Sequence, residues 1–432
     1  MTPDMQVPRH APWPRWKRVA FRFAFSFWVL WDNGLWLVLW VWPWLRRHVG
    51  AWLDWPMTHL TLWTGKHVFH LSGVAATFHP TGSGDTALGW TQQFCTVVVA
   101  LVVCAVWSAV SETRARRHEY YTLYAWLRLG MRFILAATLF SYGFEKVFPL
   151  QMPPPSPTTL AETYGASSPM RLAWTFLGAS WQYRIFAGLA EVIPAVLLCF
   201  RRTSTLGALG AAAVMLNVFM MNIGYDIPVK LYSMELLLMS LFLLLPDFGP
   251  LWRVFVARKE AALTGVWVRK PERRALRIAG HLLQVAVIGF LLQSSAWSSW
   301  KSWRDGKTPL KGSWTVASPV GGPADEHWNV MEVRSANFVV VRIAGKDKPD
   351  YDDVKTNVVA RSIEFFKEDD NGDLVKPPYA TFHWRDGAAG VLLLDGMFNG
   401  KPASMTWTRM PEPPGLLMTR GFHWVQEYPL NK

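Results

Sequence analysis

Long apolar runs dominate the first two thirds of the chain and then stop. Seven of them predict membrane-spanning helices, at approximately Val19–Leu45, Phe94–Val110, Leu123–Phe148, Ile185–Phe200, Leu206–Ile223, Leu231–Leu245 and Ile278–Trp297. The fourth and sixth are shorter than the roughly 20 residues a free span needs, which places both inside a bundle. The first run is too long for a signal peptide and no small-residue cleavage site follows it, so it reads as an uncleaved anchor. Beyond Trp303 the pattern changes to short alternating runs: Asn337–Ile343, Ala360–Phe366, Tyr379–Trp384, Val391–Leu394 and Ala403–Trp407. The dipeptides Asn371-Gly372, Asp386-Gly387, Asp395-Gly396 and Asn399-Gly400 favour tight hairpins. This tail predicts an up-and-down antiparallel barrel or sandwich. Its opening Gly312-Ser313-Trp314 resembles the first strand of lipocalin-like barrels, with Trp314 expected to close the barrel floor.

Composition agrees with a membrane chain. Of 432 residues only 17% are charged, against the quarter usual for soluble domains, and 26 are Trp, a residue that anchors at membrane–water interfaces. The net charge of +13 does not point to nucleic acid. Residues 1–300 hold 27 Lys and Arg against 14 Asp and Glu, whereas residues 301–432 hold 17 of each, so the excess sits among the apolar runs. One side of the bundle carries Arg9, Arg15, Lys17, Arg18, Arg114, Arg116, Arg117, Arg201, Arg202 and the Arg253–Arg277 stretch. The other carries fewer, among them Arg46, Arg47, Lys66, Arg171 and Lys230. The basic side is therefore cytoplasmic, and seven spans put the tail outside. The expectation is a bacterial inner-membrane protein with a cytoplasmic N-terminus and a periplasmic C-terminal domain. Its parts are a two-span region with an outer interfacial helix (1–120), a four-helix core (121–250), a basic linker with the seventh span (251–300) and a β-rich domain (301–432).

Cys95, Cys104 and Cys199 sit in apolar runs without metal or redox spacing and read as packing residues. Residues 50–72 predict an interfacial helix with Trp52, Trp55 and Trp63 at headgroup level. His59, His67 and His70 lie there with no Cys or carboxylate to complete a metal set, so they read as interfacial histidines.

Ionisable residues inside a span are costly and each calls for a partner or a task. On the third span Tyr142 and Lys146 share a face, with Glu145 beside them; on the fourth Arg184, Gly188 and Glu191 form one stripe. Glu191 lies about 10 Å below the outer edge at 1.5 Å per residue. The fifth span brings Asn217 and Asn222, followed by Asp226 on the face of Asn222. A tight Asp226–Lys230 linker leads to Tyr232 and Glu235 on the sixth. Arg128 and Arg132 read as snorkelling residues at the cytoplasmic end. Two readings stand: a charge network that fixes helix register, or an outward-facing polar pocket for a small ligand that relays protons. Asp32 either joins that pocket or marks a helix break.

At these residues, from Arg132 to Asp247, the chain resembles the DoxX-like membrane superfamily. The carrying stretches are SYGFEKVF (141–148), AGLAEVIPAVLLCFRR (187–202) and DIPVKLYSMELLLMSLFLLLPD (226–247). More closely it resembles a bacterial subfamily with extra N-terminal spans, a seventh span and a tail, through GSGDT (82–86), FPLQMPPPS (148–156), FRRT (200–203) and GFHWVQEYPLN (421–431). The resemblance implies a four-helix core and, from some superfamily members, quinone-linked oxidation or participation in an envelope complex. Other relatives are non-enzymatic receptors, which keeps a transporter, ligand-binding protein or scaffold open as the alternative. On the quinone reading Lys146 and Glu191 are the candidate proton donors or acceptors, with Tyr142, Glu145, Arg184, Asn217, Asn222, Asp226, Lys230 and Glu235 holding the ligand. The sequence offers no haem-ligating His pair, dinucleotide fingerprint or metal spacing, so electrons would come from a partner or from the substrate.

Overall fold

A computed structural model describes residues 13–31, 50–78, 82–113, 120–263, 273–320, 328–343, 350–367, 374–411 and 416–420. Its helices, in chain order, are α1 (Arg15–Trp31), α2 (Ala51–His67), α3 (Ala87–Thr113), α4 (Tyr121–Val147), α5 (Pro157–Ala161), α6 (Pro169–Ala179), α7 (Trp181–Cys199), α8 (Ser204–Gly224), α9 (Lys230–Leu244), α10 (Phe248–Phe255), α11 (Arg274–Leu292) and α12 (Ser298–Asp305). Among the described residues six helical segments are long and apolar enough to cross a membrane: Ala87–Ser111, Tyr121–Val147, Trp181–Cys199, Ser204–Gly224, Lys230–Phe255 and Arg274–Asp305. They correspond to the last six predicted spans. Of the first, the part beyond Trp31 lies outside the described residues, as do Asp32, Asn371-Gly372 and the terminal GFHWVQEYPLN.

Two segments run longer than their apolar cores. Helix α3 begins seven residues before Phe94 because the hydroxyls of Thr91 and Thr96 donate to the carbonyls of Ala87 and Gln92, which hides their polarity within the helix. The last continues past Trp297 through a π turn into α12, where the guanidinium of Arg304 covers Trp300.

The chain forms two compact units, residues 1–140 with 190–291 and residues 141–189 with 292–432. In the first unit α1 and α2 each pack on α3, and α8 pairs with α9. Small residues permit close helix approach. A Cβ at Gly207 would lie 2.7 Å from the Leu198 nitrogen, and one at Gly210 would lie 2.9 Å from the Pro194 ring. Arg128 and Arg132 have a more definite role than snorkelling. They donate to the carbonyls of Leu243 and Cys199, at the C-terminal ends of α9 and α7, where orphan carbonyls and the helix dipole favour a cation. All three cysteines are free and buried.

The second unit contains the barrel: β1 (Gly312–Val320), β2 (Trp328–Ser335), β3 (Phe338–Ile343), β4 (Asp350–Asn357), β5 (Ser362–Phe366), β6 (Ala380–Asp386), β7 (Val391–Phe398) and β8 (Lys401–Arg409). Each strand pairs antiparallel with the next, and β8 returns to β1 to close the barrel. Of the two predicted β architectures, the barrel is the one found. Alternate residues fill its interior, with Trp314, Trp328, Phe365, Phe382, Trp384, Phe398 and Trp407 all buried. The Trp328 ring lies 5.0 Å from Phe365 and 5.4 Å from Phe398. Trp314 is buried near the start of β1, and its indole donates to the Leu310 carbonyl. Asn399-Gly400 makes the expected hairpin, both residues at positive φ.

Asp395-Gly396 does not turn; it lies inside β7. A Cβ at Gly396 would fall 2.0 Å from the Thr381 carbonyl oxygen, so this glycine is required by the close approach of β6. Its neighbour Asp395 accepts hydrogen bonds from Ser404 and Arg385 on the outer wall, and these hold its carboxyl below the usual range, the Ser404 bond contributing most. On the same unit the Thr158 hydroxyl of α5 donates to Glu332 at 2.7 Å, and Arg334 donates to the other carboxylate oxygen, so the 148–180 connection docks on the barrel wall.

Candidate functional site

The ten residues singled out from sequence divide between the units. Glu191, Asn217, Asn222, Asp226, Lys230 and Glu235 belong to the first, and Tyr142, Glu145, Lys146 and Arg184 to the second.

In the first unit the α8–α9 linker is built around an aspartate that the sequence reading did not select. Both Asp85 carboxylate oxygens accept backbone N–H groups at the start of α9, from Lys230 at 2.8 Å and Leu231 at 3.0 Å. This is an N-terminal cap supplied from a distant loop, stabilised further by the helix dipole. The Lys230 ammonium lies 2.8 Å from Asp226 and 3.6 Å from Asp85, and the Gly84 N–H donates to the Pro228 carbonyl. Asp226 turns the chain at φ 49°. Asn222 donates to the Val229 carbonyl and to Ser233, whose hydroxyl donates to the Lys230 carbonyl. Thus Asn222, Asp226 and Lys230 do converge, in a fully paired clamp. Asn217 does not join them and is exposed. Five residues turn a helix by about 140° beyond a full turn, which separates it from the Asn222 face.

One and a half turns into α9, Glu235 is 3% exposed, and its Oε1 has no hydrogen-bond partner among the described residues. The Trp31 indole is its side-chain donor. Trp31 stacks on Tyr232 with ring centroids 6.1 Å apart, and the Tyr232 hydroxyl lies 3.2 Å from that of Thr138. Glu235 therefore presents a buried acceptor beside two aromatic rings. Glu191 is 2% exposed on α7, three residues before Pro194, which cannot donate to the Ala190 carbonyl.

In the second unit Tyr142 and Lys146 share a face as predicted. The Lys146 ammonium lies 3.4 Å from the Tyr142 carbonyl and 5.6 Å from its ring centroid. Glu145 is half-buried at the end of α4, where its carbonyl receives the Leu150 and Gln151 N–H groups. The Arg184–Gly188 stripe is the contact face of α7. A Cβ at Gly188 would lie 2.6 Å from the Gly143 carbonyl, and Arg184, one turn away, is buried, its Nε and Nη1 without a hydrogen-bond partner among the described residues.

The Nδ1–H groups of His59 and His67 donate to the carbonyls of Trp55 and Trp63, four residues back, and the imidazoles pack on those rings. One ring nitrogen of each is thus engaged along α2, while Trp52, Trp55 and Trp63 are exposed. Tyr232 was singled out from sequence with Glu235; among Trp31, Asp85 and Thr138, only Asp85 carried a usable sequence signal, as the one acidic residue of GSGDT.

Spanning helices that bury ionisable groups, joined to a closed eight-stranded barrel, define a polytopic membrane protein with a C-terminal β-barrel domain. The chain is 37% identical over 116 residues to the uncharacterized protein YwoB of Bacillus subtilis (strain 168), covering 27% of this chain and 73% of that one. It belongs to the same family as that protein. No family model matches the chain, and no solved structure does either.

Proposed function

We propose that this chain is a DoxX-like inner-membrane protein, with its N-terminus cytoplasmic and its barrel periplasmic, that holds a small lipid-soluble ligand among its spanning helices. A quinone headgroup is the ligand class of first choice. The observation that carries this is Glu235, a nearly inaccessible carboxyl in a spanning helix with one oxygen that has no hydrogen-bond partner among the described residues. A buried acceptor without a donor costs free energy unless a ligand completes it. The phenolic hydroxyl of a reduced quinone is such a donor, and the Trp31–Tyr232 pair offers flat apolar faces to its ring. Glu235 would bind and orient the headgroup, with Glu191 of the same unit as the proposed proton carrier. The chemistry of the quinone is its own; electrons would come from a partner or the substrate.

The alternative is a non-enzymatic transporter, ligand-binding protein or envelope-complex scaffold. The clamp of Asp85, Asp226 and Lys230 supports a structural role for that part of the network, since its groups are paired with one another. The packed barrel interior favours a docking role for the β-domain over ligand capture inside it.

Native mass spectrometry with lipid extraction tests the proposal, comparing the wild type with Glu235→Gln, Lys146→Ala and Glu191→Ala. A quinone retained by wild type and lost from folded Glu235→Gln is the expected result. Identical extracts from all four proteins would leave the alternative. Protease added from the periplasmic side should reach the barrel; cleavage only from the cytoplasmic side would reverse the topology.

A further inference from the structure

The two ends of the barrel differ in kind. At one end lie the start of β1, the end of β8 and the turns 336–337, 357–361 and 387–390; the remaining connections join strands at the other end. The chain enters at the first end, directly from the last spanning segment. Trp297, Trp300 and Trp303 lie along the final turns of that helix, which ends at Asp305, and the next residue, Gly306, accepts the Ala336 N–H at 3.0 Å. The Ala336 carbonyl in turn accepts the Thr356 N–H at 3.2 Å. Two backbone hydrogen bonds therefore link the end of a Trp-bearing membrane helix to the β4–β5 hairpin.

The tip of that hairpin is Val358-Val359. Val359 is 97% exposed, more than any other large apolar side chain described, and Val358 is 49% exposed. Such exposure in water is unfavourable, and burial of both side chains would be stabilising. The tip is also held in shape. Asn357 accepts the Ala360 N–H, Arg361 sits at φ 49°, and its guanidinium lies 3.3 Å from Asp386.

The turns at the helix end read Ala336-Asn337, Asn357-Val358-Val359-Ala360-Arg361 and Gly387-Ala388-Ala389-Gly390, without one acidic residue, and Arg361 is paired with Asp386. These turns therefore bring little net charge to a lipid surface.

We propose that the barrel rests on the bilayer by its helix end, with Val358 and Val359 immersed at the headgroup–acyl boundary. The partner of this surface is lipid. An amphipathic belt of Trp at the adjoining helix end sets the depth, as interfacial Trp does elsewhere. The barrel is thereby held at two points, its covalent helix and this hairpin. The proposal is independent of any intramembrane ligand and of which side of the membrane the barrel occupies.

Site-specific fluorescence on the full chain in lipid nanodiscs tests it. A nitrobenzoxadiazole label is placed at Val359→Cys or, as a control, at exposed Lys401→Cys beside the Asn399-Gly400 turn of the opposite end; the three native cysteines are buried. The label at 359 should emit at shorter wavelength, lose at least half its intensity to lipid-borne doxyl quenchers, and be at least threefold less sensitive to aqueous iodide than that at 401. Equal iodide quenching of both labels would overturn the proposal. A label at 359 shielded from iodide but untouched by doxyl lipid would also overturn it, assigning the tip to a protein contact.

Discussion

The barrel and the helical unit solve opposite problems. The barrel hides aromatic rings, Trp328, Phe365, Phe382 and Trp407 among them, and leaves its ion pairs outside, at Arg385–Asp395 and Arg361–Asp386. The helical unit exposes its apolar side chains, such as Leu282, Leu283 and Val285 on α11, and buries Arg22, Glu191, Glu235 and Asp247. The difference follows the solvent each faces. Water already satisfies charges on the barrel wall, so its interior is free to be purely apolar. In lipid no outside partner exists, and each polar group must find one within the protein or in a ligand. Arg22 does so with Tyr120 and Ser108, and one oxygen of Asp247 with Thr205. The other Asp247 oxygen and Glu235 Oε1 have no hydrogen-bond partner among the described residues, and Glu235 is the more informative of the two because its donor Trp31 stacks on Tyr232.

The contrast can be broken hardest at the barrel core. Phe382→Ala should destabilise the β-domain by about 3–5 kcal/mol, read as a lowered barrel melting transition. Next, Asp85→Ala should cost about 2 kcal/mol by uncapping α9 and leaving Lys230 with Asp226 alone; the thermal midpoint of the solubilised protein would show it. Glu235→Gln should leave that midpoint within about 1 kcal/mol of wild type, because an amide replaces a carboxyl that is already half unpaired. If it instead melts the protein, Glu235 is structural. Asn217→Ala should change neither stability nor bound lipid.

The smallest effect belongs to Asp395. Its carboxyl is depressed below the ordinary Asp value of about 3.9, so its bonds to Ser404 and Arg385 stabilise the barrel above that pH. The contribution is lost as pH falls through the depressed folded value. Wild type should therefore be slightly more stable than Asp395→Asn above about pH 4, with the difference shrinking as acid protonates Asp395 below it.

Much of the architecture was legible from periodicity, because six spans and the strands depend on local patterns of apolar residues. What escaped depended on distant neighbours. The Asp395-Gly396 dipeptide has the chemistry of a turn, yet its glycine answers to Thr381 on the next strand. Asp85 precedes its partner Lys230 by 145 residues, and no spacing rule joins them. Asn217 failed for a reason open to inspection, since helical geometry already separated it from Asn222. The interfacial turns of α12 are polar, so hydropathy ended that helix before hydrogen bonding did. The paired clamp and the half-paired Glu235 look alike in sequence, as acidic residues near span ends. Only the donors around them tell them apart.

The sequential barrel also has a consequence in time. Seven of its eight seams join neighbouring strands, but the last joins β1 to β8, with Trp314 opposite Arg409. At ribosomal rates of about 5–20 residues per second, β8 is made roughly 4–18 s after β1. Throughout that interval β1 presents a free edge to any other strand, so a chain interrupted before Lys401 is left with two open edges and a route to aggregation.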